Sequence, residues 1–284
     1  MRDPGAHMGV SADGDFVGSL SGGCIEAAVV AEALEALKDD AARVTRFGSG
    51  SEYLDIKLPC GGGLDIHFQP LGDSSFVAKC REAVVQRNPF SIALSANGEA
   101  AEFVLNWQQT NWRAEASEAT IGHWPAPKLL IIGHGAAMAS LATQASSMGL
   151  EACVLTPDER LAGDMSECDI AAGKLTTPND VSAIISDPWT AIIFMFHDHD
   201  WEGKLMAHAL AQPHFYFGAM GGRKAHAFRT GILTELGIAQ SQIDKIHAPI
   251  GLFHSARDPA TLALSALAQV IEAYQNHDFA ERYG

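Results

Sequence analysis

Residues 128–160, KLLIIGHGAAMASLATQASSMGLEACVLTPDER, carry the reading that decides the fold. An apolar strand over 129–132 runs into Gly133-His134-Gly135 and then into a helix of small residues over 136–148. A second apolar strand follows over 152–155. Strand, Gly-x-Gly turn and helix open a dinucleotide-binding βαβ unit, whose turn lets backbone N–H groups and a helix N-terminus face a phosphate. Met138 stands where that fingerprint has its third glycine, and its bulk would hold the helix further from its strand. The acid that would hold a ribose hydroxyl is also displaced: Thr156 ends the second strand and Asp158 follows beyond Pro157. The pattern predicts a Rossmann-like sheet and argues against NAD(P) as its ligand. A tight turn that merely starts a helix remains the plainer explanation of the two glycines.

The rest of the second half keeps this rhythm. Further apolar runs lie at 191–196 and 215–217, and helical stretches at 179–186, 202–210, 224–236 and 259–274. Such alternation predicts a doubly wound parallel sheet whose strands are buried on both faces. The first half mixes strands at 16–20, 43–47, 64–70, 90–94 and 102–105 with helices at 25–38 and 74–86. Asn97-Gly98 between two of those strands is a hairpin signal. Residues 106–126 are polar, weakly periodic and end in two prolines. The expected organisation is therefore a small α+β domain over 1–105, a linker over 106–126 and a Rossmann-like domain over 127–284.

Composition narrows the function classes. The 284 residues include 34 Asp and Glu against 19 Lys and Arg, a formal charge of −15. No basic cluster exceeds Arg223-Lys224, which argues against a nucleic-acid or anionic-membrane surface. No apolar run approaches the roughly 18 residues of a membrane span, and no signal peptide opens the sequence. Cys24, Cys60, Cys80, Cys153 and Cys168 are scattered and odd in number. We expect reduced thiols in a cytoplasmic protein.

Four segments offer chemistry. In GSLSGGCIE, Cys24 sits behind Gly22 and Gly23 at the start of a helix. A helix N-terminus favours the thiolate, and glycines allow close approach of a ligand to exposed amides. The other reading is a free cysteine packed as a small apolar residue. In LPCGGGLDI, Cys60 precedes Gly61 and Gly62; its spacing from Cys24 is not that of a zinc ribbon. In FMFHDHDWEGKL, His197, Asp198, His199 and Asp200 follow a strand at the edge where open α/β sheets bind ligands. They suit a divalent metal or equally a solvated helix cap. In FYFGAMGGRKAH, Gly221, Arg223 and Lys224 suit a phosphate or another anion, or a cation pair answering surface carboxylates.

The segments RDPGAHM, GSLSGGCIEAAV, CGGGLDI, GHGAAMASL, FHDHD, GAMGGRK and PIGLFHSARDPATLALSALAQVI occur in an order that resembles the XdhC/CoxI family. These are accessory factors of xanthine dehydrogenase and other molybdenum hydroxylases, and the likeness covers nearly the whole chain. It implies a chaperone rather than a catalyst, with no catalytic residues of its own. Such a protein accepts the molybdenum cofactor, molybdopterin with its metal, and delivers it to an apo molybdenum hydroxylase large subunit. In some members a cysteine desulfurase supplies the terminal sulfido ligand meanwhile. The resemblance also implies a homodimer. Cofactor-binding positions carried onto this sequence are Gly22, Gly23, Cys24 and Glu26, then Cys60, Gly61 and Gly62. In the second domain they are Gly133, Gly135, His197, Asp200, Gly221, Arg223 and Lys224. The sequence departs from the family pattern at Thr156 and at Gly222. We further expect the strands before Cys24 and Cys60 to share one small sheet, so that both thiols meet at its edge. The competing classes are an NAD(P)-dependent oxidoreductase built on the second domain, and a structural interaction protein whose glycine turns hold nothing.

Overall fold

The computed structural model describes residues 3–23, 25–51, 58, 61–72, 74–96, 100–113, 115, 117–253 and 258–283. Cys24, Cys60 and the Asn97-Gly98 hairpin lie outside them. The chain divides into two compact units, one of Met1–Pro125 with Phe279–Gly284 and one of Ala126–Asp278.

In the first unit β1 (Met8–Val10) pairs antiparallel with β2 (Phe16–Gly18), and α1 (Glu26–Asp39) follows. β3 (Arg43–Gly48) and β4 (Gly63–Phe68) form a second antiparallel pair. α2 (Ser75–Val85) leads into β5 (Phe90–Ser95), β6 (Glu102–Leu105), β7 (Asn111–Arg113) and β8 (Glu118–His123), an antiparallel sheet in the order β6-β5-β8-β7. α1 is built of Ala, Leu, Val and Glu and ends where Asp40 turns left-handed at φ 49°. It buries Val29 and Ala36 in a cluster with Leu20, Ile25, Phe47, Leu58, Ile66 and Phe68.

Two expectations change here. Residues 106–126 are not a linker, since they carry β7 and β8. β8 pairs with β5 along its whole length from Phe90↔His123 to Ser95↔Glu118, and Trp107 stacks on Trp124 at 4.7 Å. Pairing and aromatic packing override a weak local pattern. The strands flanking the two cysteine turns do not share a sheet either: β2 and β3 belong to separate ladders. What the two turns share is the α1 core, to which Leu20 and Ile25 contribute from one and Leu58 from the other.

The second unit is the Rossmann-like, doubly wound parallel sheet. β9 (Lys128–Gly133), α3 (Ala136–Ser147), β10 (Glu151–Thr156), α4 (Glu159–Glu167) and β11 (Ala171–Lys174) form its first half. β12 (Thr190–Met195), α5 (Glu202–Leu210), β13 (Tyr216–Ala219), α6 (Arg223–Glu235), α7 (Gln240–Ile243) and α8 (Pro259–Gln275) complete it. The last helix, α9 (Phe279–Tyr283), belongs to the first unit. The strand order is β11-β10-β9-β12-β13, all parallel. Leu129 and Ile131 point into a cluster with Met138, Leu141, Leu267 and Val270 of α3 and α8. Leu130 and Ile132 point into the opposite one with Leu205, Met206 and Leu233 of α5 and α6. Alternate residues thus meet different helices, which is why the strands read as unbroken apolar runs.

The helix expected over 179–186 is only a 3-10 turn at Val181–Ala183. Asp180 there accepts from the amides and hydroxyls of both Thr176 and Thr177, a local alternative to helix bonding. Among the described residues no helix is long and apolar enough to cross a membrane.

One contact sets the centre of the sheet. A Cβ on Gly133 would lie 2.5 Å from both the carbonyl carbon and the oxygen of Met195. Gly133→Ala should therefore cost about 3 kcal/mol of stability, the upper range for overpacking, because only main-chain separation relieves the clash. Urea unfolding measures it, and an unchanged midpoint would contradict this account.

Candidate functional site

The order β11-β10-β9-β12-β13 reverses direction between β9 and β12, and open α/β sheets bind ligands outside the carboxyl ends of the strands at that point. Three expected segments gather there. Gly133, His134 and Gly135 leave β9; Gly135 has φ +89°, and a Cβ on it would meet nothing within 4 Å. Gly135 caps α3 with no side-chain hydrogen bond, and the first turn of α3 carries no acid. His197, from the end of β12, brings its ring to 5.9 Å from that of His134. Asp198 accepts from the Asp200 amide at 3.0 Å and shapes the following turn. His197, Asp198 and Asp200 are exposed. From β13, the Met220 amide donates to Phe194 at 2.8 Å, holding the Gly221-Gly222 turn beside β12. Gly221 has φ +111°, Gly222 caps α6 without a side-chain bond, and Arg223 and Lys224 are exposed on the first turn. Among the described residues, no three His, Cys, Asp or Glu side chains gather closely enough to hold a metal ion.

The nucleotide features expected to be weak have other employment. Met138 is fully buried in the core. Thr156 is also buried, and its hydroxyl accepts from the Asp158 amide at 3.1 Å. The Asp158 carboxylate caps α4 by accepting from Leu161 at 3.1 Å. Asp158 thus serves the start of α4.

A buried ion pair that sequence reasoning missed ties two of these loops together. Arg229 of α6 donates to Glu202 of α5 at 2.7 and 3.2 Å, with both side chains 2% exposed. The same guanidinium donates to the Met220 carbonyl at 3.0 Å. Glu202 begins α5 just after the His197–Asp200 loop, and Met220 begins the glycine turn. Read along the sequence, the pair looks like ordinary surface charge on two helices. Their 27-residue separation carries no signal.

In the first unit the described amides of the loop before α1 already have acceptors within the chain. Glu26 is 6% exposed and folds back beneath the Ser19–Ile25 loop. It accepts from the amides of Leu20, Ser21, Gly23 and Ile25 and from the hydroxyls of Ser19 and Ser21. Burial opposes its ionisation, but the bonds from Ser21, Ser19 and Gly23 outweigh it and hold the carboxyl far below the ordinary range. Glu26, one of the positions that the resemblance implies for the cofactor, thus has both carboxylate oxygens bonded within the chain, and Cys24 lies outside the described residues. Gly22 and Gly23 stand outward at φ +79° and +107° with open space around them. Gly61, at φ +69°, is likewise open, and the Gly62 carbonyl accepts from Ser49 at 2.9 Å.

The XdhC Rossmann domain matches residues 129–270, and the XdhC and CoxI family matches residues 1–48. The molybdenum cofactor insertion chaperone PaoD of Escherichia coli K12 is 32% identical over 98% of this chain and 81% of its own length. This chain belongs to the XdhC and CoxI family. YqeB of the same organism is 23% identical over 95% of the chain, which spans 41% of YqeB. A crystal structure described as a xanthine dehydrogenase from Bacillus halodurans shares the fold, with a TM-score of 0.79 at 20% identity over 98% of this chain and 89% of that one. The XdhC and CoxI match contains the Glu26 loop, and the XdhC Rossmann match contains all three turns at the sheet edge.

Two outcomes follow for this XdhC protein. Glu202→Ala should cost about 3 kcal/mol, because it leaves Arg229 buried without its counter-ion. Replacing both partners by Leu and Met should recover most of that in urea titrations; a larger loss in the double variant would refute the clamp. Glu26→Gln should destabilise the first unit by an amount that depends on pH. A depressed native value means the carboxylate contributes fully above its ordinary value of 4.5 and progressively less as pH falls toward its native value. The gap between parent and variant in thermal melts should therefore close on acidification, and a gap that widens would refute it.

Proposed function

We propose that this protein binds molybdenum cofactor and assists its insertion into a xanthine-dehydrogenase-like molybdenum hydroxylase. The observation that carries the reading is the relationship to PaoD, which runs nearly end to end rather than over one domain. The residues suit such a cargo. The uncapped first turns of α3 and α6, beside Gly135 and Gly222, offer amides to a phosphate, and Arg223 and Lys224 add positive charge. Cys24 and Cys60 supply the soft donor class that molybdenum and sulfur chemistry calls for. Gly22, Gly23, Gly61 and Gly62 leave the backbone bare beside them. His197 and Asp200 border the sheet-edge site and complete the set of residues we assign to cofactor binding.

A carrier that hands on its cargo needs retention and release but no turnover, so no catalytic residue is assigned. We further read it as a cytoplasmic homodimer whose partners are the apo-hydroxylase large subunit and a cysteine desulfurase that sulfurates the held cofactor. The nicotinamide oxidoreductase is the weaker reading, since Thr156 is buried, Asp158 caps a helix and Met138 fills the third-glycine position.

Anaerobic purification followed by oxidation of any bound pterin to a fluorescent derivative tests the proposal directly. The expected result is cofactor retained by the chain and released on mixing with an apo molybdenum hydroxylase, which then gains activity. A chain that retains no pterin, or that turns over NAD(P)H with common carbonyl substrates, would overturn it.

A further inference from the structure

We propose that Glu26 is a positioning residue: an anion within the chain that fills the amide nest of the Ser19–Ile25 loop and sets the conformation in which that loop meets the cofactor. The inference deepens the proposed function and rests on it only for the cofactor readout.

The hydrogen-bond count carries the argument. Oε1 accepts from Ser19 Oγ at 2.8 Å, Leu20 N at 3.2 Å and Ser21 N at 3.0 Å. Oε2 accepts from Ser21 Oγ at 2.6 Å, Gly23 N at 2.9 Å and Ile25 N at 3.2 Å. A carboxylate has about four lone-pair directions, so neither oxygen keeps a free one for a ligand. The Gly22 amide donates to Ser19 Oγ at 3.0 Å. Every described amide from Leu20 to Ile25 therefore has an acceptor inside the loop.

Two left-handed glycines wrap the backbone round this carboxylate, a path closed to most side chains. Concave runs of amides of this kind ordinarily receive phosphates or other anions from outside. Here the anion is supplied in cis, two residues beyond Cys24. The loop is thus pre-formed, and among its described residues no amide is left to spare for the phosphate of the cargo. That phosphate falls to other donors, and the loop is left to present its outer surface at Gly22 and Gly23.

Emptying the nest tests the idea. Glu26→Ala in the full chain removes the carboxylate and leaves a cavity of its shape lined by N–H groups. Affinity for molybdopterin should fall at least roughly tenfold, which corresponds to about 1.4 kcal/mol. Sodium formate should restore it saturably, because a small carboxylate can enter the nest. Sodium chloride at equal ionic strength should not. Glu26→Gln, whose amide still fills the space, should weaken binding without responding to formate. Hydrogen exchange of the 20–25 amides provides a second readout: fast in Glu26→Ala, and slowed by formate alone.

Unchanged cofactor affinity in Glu26→Ala, or equal effects of formate and chloride, would overturn the proposal. If the parent chain itself binds no molybdopterin, the proposed function fails, and formate-dependent amide protection still decides the role of Glu26. Should Glu26→Ala not fold, formate added during refolding is expected to rescue it, and the absence of rescue together with parent-like affinity in Glu26→Gln would count against the nest.

Discussion

The approach of Gly133 to the Met195 main chain governs the second unit. With no side chain at that point, β9 and β12 run side by side to their carboxyl ends, in register from Thr190↔Lys128 to Met195↔Gly133. Both strands then release their loops at the same level. His134 and His197 come within ring contact because the strands stay paired so late. The glycine turn after β13 joins them through Met220, which bonds to Phe194 of β12. Any side chain at 133 would part the strands where the ligand edge begins.

Two buried glutamates do comparable work in the two units. Glu202 answers Arg229 and so links the start of α5 to the turn before α6. Glu26 answers backbone amides and hydroxyls instead of a cation. In both cases a carboxylate removed from water is met by several hydrogen-bond donors, which costs less than leaving it unpaired. The loops they hold are glycine-rich and would otherwise sample many conformations. Charge inside the fold thus sets the shape of segments whose outer surfaces carry the proposed binding residues.

Much of this was legible in the sequence. β9 and β12 announce themselves because every residue in their centres meets one helix layer or the other. The Gly133 and Gly221 turns are readable because a tight strand-to-helix turn has few alternatives. β11 was missed: Ala171-Ala172-Gly173-Lys174 has no branched or aromatic residue, and it is a strand because it pairs with β10. A Cβ on Gly173 would lie 2.7 Å from Leu155, so close packing has removed the side chain that would have given the strand away. The 106–126 segment was misread because its order comes from β5 and from a tryptophan stack, both outside its local pattern. Glu26 is legible as part of a motif, but its direction is not. A carboxylate beside a glycine loop can face outward or inward, and the flanking Ser19 and Ser21 hydroxyls decide which. That choice is a matter of three-dimensional closure, and residue type alone does not reveal it.

The return of α9 to the first unit has a consequence for biosynthesis. Phe279 is 4% exposed and its ring lies 5.7 Å from that of Trp124, so the unit carrying the Cys24 and Cys60 turns is closed by residues more than a hundred and fifty positions downstream. Domains generally fold in the order in which the ribosome releases them. Here the Rossmann unit, Ala126–Asp278, is contiguous and can finish first, although it is made second. The thiol-bearing unit gains its last aromatic contact only when translation of α9 is complete. A nascent or C-terminally clipped chain would thus hold a finished Rossmann unit while the first unit still lacked α9.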